Sequence, residues 1–184
     1  MRIRAPQAFA LIVSGFFIVI VSGFVLTSLA ADEKKAEGHK FPGLEPFARL
    51  AGEWEGREVS GKNTEQDLKA KYKVTSAGSA VVETLFPDSP HEMVTIICPD
   101  GDQLVLTHYC ALGNQPRMKA KGKIEANKVA FKFDSATNLK SDNDPHMHEV
   151  TYTFVDKDTL KSEWVHYDGG KPTGTAVFEF KRKK

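Results

Sequence analysis

The sequence predicts an all-β domain: an antiparallel up-and-down meander of about ten strands, closed into a barrel and preceded by a short helix. Three observations carry this. Apolar and polar residues alternate with period two in strand after strand, the connections are short and rich in turn residues, and no sustained helical period follows residue 50. One apolar and one wet face per strand is the pattern of an antiparallel sheet solvated on one side.

Taken in order, Leu44, Phe47 and Leu50 share one face at helical spacing, so residues 44–50 are expected to form a short helix that plugs a barrel end. Strands are expected at 52–59, 67–75, 80–86, 91–98, 103–111, 117–125, 128–134, 147–155, 159–167 and 173–182. Leu68, Ala70, Tyr72 and Val74 alternate with three lysines, as do Met118, Ala120 and Ile124. Val129, Phe131 and Phe133 alternate with Ala130 and Lys132, and Val150, Tyr152 and Phe154 with threonines. Turns fall at Ala77–Ser79, Pro87–Pro90, Gly113–Pro116, Asp156–Asp158 and Asp168–Gly170, and only 135–146 is long. Short connections favour a meander. Closure removes the sheet edges, whereas the alternative two-sheet sandwich usually needs crossing loops.

Ahead of this domain, Met1–Gln7 is basic, Ala8–Leu26 is apolar, and Thr27-Ser28-Leu29-Ala30-Ala31 offers small residues for cleavage. That order is the export pattern, so residues 1–30 read as a signal peptide. The apolar run approaches bilayer-spanning length, which keeps an uncleaved membrane anchor as the alternative. No cysteine near the cut offers a lipid attachment point. Residues 31–43 are expected to be a disordered lead-in, and 44–184 a single domain, periplasmic or secreted. Removing residues 1–30 takes away Arg2 and Arg4 and no acid, so the charge falls from +1 to −1. A near-neutral domain has no global electrostatic attraction to nucleic acid, and the Lys181–Lys184 tail lacks interleaved aromatics.

Two cysteines in an exported chain raise the question of a disulfide. With Asp100-Gly101 as the hairpin turn, Cys98 faces Gln103 and Cys110 faces His91, which separates them by ~24 Å along the hairpin. A bridge needs α-carbons within ~7 Å, so free thiols are expected.

Leu50-Ala51-Gly52-Glu53-Trp54-Glu55-Gly56 resembles the L-x-G-x-W-x-G opening of calycin-like barrels, which include lipocalin-like, fatty-acid-binding-protein-like and nitrobindin-type haem barrels. The run Leu104–Met118 is similar to uncharacterised secreted lipocalin-like proteins. The resemblance implies a lipocalin/nitrobindin-like barrel and a ligand held inside it. Haem is one cofactor it implies. In nitrobindin-type barrels the iron-binding histidine follows a Gly-x-Pro turn in the last strand; here Gly170-Lys171-Pro172 leads into Thr173–Val177, without a histidine.

Strand parity supplies the candidate site. His148 and Tyr152 fall in step with inward Val150 and Phe154; Ser162, Trp164 and His166 with Leu160; His108 and Cys110 with Leu104 and Leu106. Arg117, at a strand start, is expected at the cavity rim, where an arginine pairs with a ligand carboxylate or simply meets solvent. The expected ligand site is therefore His108, Cys110, Arg117, His148, Tyr152, Trp164 and His166. Apolar walls with a few convergent polar groups suit a small, partly apolar molecule. Histidines near strand ends also line a solvated mouth or satisfy one another with no ligand. A zinc site could draw on His146-Met147-His148 or on Cys110, and a cysteine nucleophile on Cys110 beside His108. A binding barrel, a haem, metal or cysteine-dependent catalyst, and a structural module remain the three functional classes.

Overall fold

In a computed structural model of the chain, residues 41, 43–60, 67–120, 125 and 127–184 are described. The export segment and most of the lead-in lie outside them. α1 (Glu45–Ala48) precedes β1 (Gly52–Glu58), β2 (Leu68–Thr75), β3 (Ala80–Leu85), β4 (Met93–Asp100) and β5 (Gln103–Tyr109). β6 (Gln115–Ala120), β7 (Lys128–Thr137), β8 (His146–Asp156), β9 (Thr159–Asp168) and β10 (Lys171–Arg182) follow. Each strand pairs antiparallel with the next, and β1 pairs with β10 to close the barrel. Among the described residues no helix is long and apolar enough to cross a membrane.

The seam between β1 and β10 explains the opening motif. Gly56 lies opposite Phe180, and a β-carbon there would sit 2.7 Å from the Phe180 ring and inside the Glu179 carbonyl oxygen, so only glycine lets the strands meet. Trp54, opposite Arg182, donates from Nε1 to the Leu50 carbonyl at 2.8 Å. The Arg182 guanidinium lies 4.4 Å over the indole and donates to the carbonyls of Ala51 (2.9 Å) and Arg49 (2.8 Å). The last strand thereby fastens the segment that carries the helix.

α1 caps this end as expected. Leu44, Phe47 and Leu50 are all buried, and the Phe47 ring meets Tyr152 at 5.1 Å, Phe154 at 5.2 Å and Phe131 at 6.0 Å. The interior behind it is filled by side chains such as Trp54, Leu106, Met118, Phe131, Leu160 and Phe180. Burying each contributes about 2 kcal/mol, so this half of the barrel is a packed core.

Three expected boundaries shift. The β4–β5 hairpin turns at Gly101-Asp102, with Asp100 facing Gln103 and Cys98 facing Val105, because Gly101 takes the positive φ (66°) at the first central position. β5 stops at Tyr109, since Cys110 enters a turn closed by Gly113 N–H donating to its carbonyl. β6 begins earlier than expected, as Gln115 and Pro116 already pair with Thr137 and Ala136. Both cysteines are free.

Candidate functional site

One interior rung of the barrel is polar. The registers place Tyr72 beside Glu83, Glu83 beside Thr95, and Thr95 beside His108, on four successive strands β2 to β5. All four face inward, each no more than 2 % exposed. Tyr72 O–H donates to Glu83 Oε1 at 2.6 Å, and Tyr152 O–H reaches across from β8 to Oε2 at 2.8 Å. Burial pushes the Glu83 carboxyl above its ordinary value, while hydrogen bonds from Tyr72, Tyr152 and Thr95 pull it part of the way back. Burial, and then the Glu83 charge, push both phenols well above theirs.

Thr95 Oγ1 lies 2.9 Å from His108 Nδ1. The threonine hydroxyl has one proton, and the histidine tautomer decides which of the two donates. If Thr95 turns that proton toward Glu83, its register neighbour, its oxygen accepts from His108 Nδ1–H and Nε2 carries a bare lone pair. Burial holds His108 down at a pKa of about 4, so the imidazole is neutral at pH 7.

Opposite this row, Trp164 packs against His108 with ring centroids 4.5 Å apart and lies 6.2 Å from Tyr152. Ser162, two residues earlier on β9, is paired with Tyr152 and Phe178. His108 Nε2, Ser162 Oγ and Trp164 Nε1 are buried and have no hydrogen-bond partner among the described residues. Each such group costs about 1–3 kcal/mol, and native interiors carry few of them. Three facing one region of one barrel is a concentrated cost that a polar ligand or water can offset.

The structure brings His108, Tyr152 and Trp164 together and leaves four expected members elsewhere. Arg117 lies on the outer face, 3.5 Å from Asp100 and 3.9 Å from Asp134, because inward Met118 puts its strand neighbour outward. Cys110 is buried in the turn beyond β5, where burial pushes its thiol up, so the nucleophile expectation loses its thiolate. His166 is half-buried one rung above Trp164, and its Nδ1 is 2.8 Å from Thr173 Oγ1.

His148 sits at a seam. Pairing of β7 with β8 ends at Lys132 and Glu149, and a bulge between Met147 and Glu149 takes His148 out of register. The gap is filled by rings: His148 stacks on Tyr167 at 3.8 Å and on Phe133 at 4.9 Å. His146 Nδ1 is 2.7 Å from the Asp144 carbonyl, so that nitrogen carries a proton, and Nε2 accepts from His148 Nδ1 at 2.9 Å. Burial, then the neighbouring His146, hold His148 below its ordinary pKa. The expected zinc pair thus spends two nitrogens on itself. No group of three or more His, Cys, Asp or Glu is placed to hold a metal among the described residues.

Glu83, Thr95 and Tyr72 were not among the expected site residues. Glu83 was readable as an acid at inward parity between Val81 and Leu85. Above the polar rung, half-buried Leu68, Phe86, Met93, Met147 and Ala176 pack against the core. At that end a hollow of about 580 Å³ is lined by Leu68, Phe86, Pro90 and Phe178 together with Glu58, Asp67, Lys69, Asp88 and His91; His108, Ser162 and Trp164 are not part of its lining. Phe86 and Phe178 meet at 5.5 Å on its floor, and Phe178 is the register partner of Ser162. Phe86 holds a positive φ of 56°, a strained conformation for an aromatic residue that recurs at ligand sites. A second hollow, about 490 Å³, lies beside α1 and is lined by charges already paired, such as Arg182 with Asp158 at 3.3 Å.

No family model matches this chain, and no curated protein matches it. Among solved structures it is similar to the crystal structure of Rv2717c from M. tuberculosis, with a TM-score of 0.52 and 13 % identity over 78 % of this chain and 98 % of that one. At that identity the likeness is one of fold, and it agrees with the closed antiparallel barrel described above.

Proposed function

We propose that this chain is an exported binding protein that holds a small, partly apolar molecule in the open half of its barrel. The observation that carries the reading is the grouping of His108 Nε2, Ser162 Oγ and Trp164 Nε1, three buried polar atoms without a hydrogen-bond partner among the described residues, with the His108 and Trp164 rings in contact and Ser162 two residues before Trp164 on the same face of β9. A few polar groups set among apolar side chains are the usual make-up of a small-ligand site, and a hollow of about 580 Å³ with a mixed polar and apolar lining reaches Phe178, the register partner of Ser162. The packed half behind α1 favours a ligand that is short rather than a long chain threaded through the barrel. Export rests on the order of basic, apolar and small residues in 1–30.

The residues do not favour haem. β10 carries no histidine where the resemblance implies one, His166 is engaged with Thr173 and His148 with His146, which leaves His108 Nε2, packed against Trp164, as the imidazole nitrogen an iron would need. Native mass spectrometry of protein purified from its own host, with an absorbance spectrum and metal analysis, tests the reading. A retained organic molecule, lost on replacing Trp164 by alanine in a folded variant, supports it. A Soret band or stoichiometric metal overturns it in favour of the cofactor alternative.

A further inference from the structure

Deepening the binding reading, on which it rests, we infer that the site takes its ligand through a neutral hydroxyl group, an alcohol or phenol whose O–H donates to His108 Nε2 and whose oxygen accepts from Trp164 Nε1–H. The hydrogen-bond polarity of the rung, with His108 protonated at Nδ1, leads to this choice. Glu83 is an acceptor at both oxygens, occupied by Tyr72 and Tyr152. We assign the Thr95 proton to that carboxylate, its neighbour in register; Thr95 then accepts from His108 Nδ1–H and the far nitrogen accepts. Trp164 Nε1 can only donate. Ser162 can do either and takes the ligand oxygen's second lone pair. Apart from Asn114 Oδ1, which lies in the turn between β5 and β6, the unpartnered atoms are one acceptor, one donor and one hydroxyl, which a ligand O–H complements.

Other head groups fit less well. A carboxylate has no proton for His108 and enters a layer that already holds Glu83. An ammonium has no lone pair for Trp164, and Glu83 is already satisfied by two phenols. A wholly apolar ligand leaves all three atoms unpaired and so offsets none of their cost. Past Ser162 and its register partner Phe178, the apolar remainder meets Leu68 and Phe86, in a lining that also carries Glu58, Asp67, Lys69 and Asp88.

The test uses 4-ethylphenol and 4-ethylanisole, which differ in the O–H, with calorimetry and tryptophan fluorescence on the purified full chain. The phenol is expected to bind at least about tenfold more tightly than the ether, the worth of one hydrogen bond. That ratio is expected to fall toward one in folded His108→Phe and Thr95→Val variants. Equal, saturable binding of both probes to the native chain overturns the hydroxyl inference and leaves the binding reading standing. No binding of either at millimolar concentration overturns both. Selectivity unchanged in both variants removes His108 from the recognition. Independently of any ligand, long-range ¹⁵N NMR is expected to show His108 protonated at Nδ1, and an Nε2–H tautomer overturns the inference.

Discussion

Replacing His108 by phenylalanine isolates one side chain's share of the pH dependence of folding. In the folded chain burial keeps the imidazole neutral down to about pH 4, whereas an unfolded histidine takes its proton near 6.5. Between those values the unfolded state binds a proton that the folded state refuses, so stability falls as the pH drops through the window. At about 1.4 kcal/mol per pH unit the loss totals about 3 kcal/mol by pH 4. His148, also held below its ordinary value, works in the same direction. Glu83, held above its own, works oppositely and gives stability back as the pH falls toward 4.5. Both persist in His108→Phe, so the difference between the two proteins reports His108. At pH 7 the variant loses the contact with Thr95 and sheds an unpartnered Nε2, and the two proteins should match within about 1 kcal/mol. Urea denaturation followed by far-UV circular dichroism at pH 7, 6, 5 and 4 measures this. The variant should gain about 3 kcal/mol on the native chain across the series, a midpoint shift of roughly 1.5 M. A difference that stays constant with pH refutes the reasoning.

Ser162→Ala removes a buried hydroxyl without a partner and should raise the ligand-free melting temperature by about 3 °C, where a fall would show that the hydroxyl is satisfied. Gly56→Ala forces a methyl group into the β1–β10 seam and should cost about 3 kcal/mol, or roughly 10 °C in melting temperature; an unchanged melting curve would mean that the strands are not this close. Arg182→Lys gives up a guanidinium that caps Trp54 and holds two carbonyls, so stability should drop by about 2 kcal/mol with altered near-UV dichroism of tryptophan. Cys98 and Cys110 should both take up a thiol reagent after denaturation without reductant, and a protected pair by mass spectrometry would contradict the hairpin register.

Most of the fold was legible because period-two alternation runs through most of the strands, and each of the ten expected strands forms near its expected place. The interior half of the site followed from the same parity: His108, Tyr152 and Trp164 all sit on the face that parity assigned. What parity does not give is depth. His166 is on the right side of β9 but one rung too high, where the barrel opens and Thr173 takes its nitrogen. Nor does parity survive a bulge, and the extra residue between Met147 and Glu149 turned His148 toward Tyr167. Arg117 was misplaced for a simpler reason, since inward Met118 already required it to face out. Glu83 escaped notice because a lone acid between Val81 and Leu85 reads as an interruption of an apolar strand. Its justification lies on strands distant in sequence, in the hydroxyls of Tyr72 and Tyr152.

The pairing of β1 with β10 also sets the timing of assembly as the chain emerges, from the ribosome or, for an exported chain, from the channel. Ala51 and its partner Arg182 are 131 positions apart, so at roughly 5–20 residues per second the first strand waits on the order of ten seconds or more for the last. Throughout that wait the nascent sheet has two naked borders, one on β1 and one on whichever strand has just emerged. Such borders invite pairing with another chain. Glu53, Glu55 and Arg57 place charge on the outward side of the waiting strand, and Lys161 and Glu163 do the same on β9. A second nascent chain at this stage could donate its own β10 across the gap. High local translation of this protein therefore carries a specific hazard, exchange of the last strand between neighbours, which the completed barrel no longer presents.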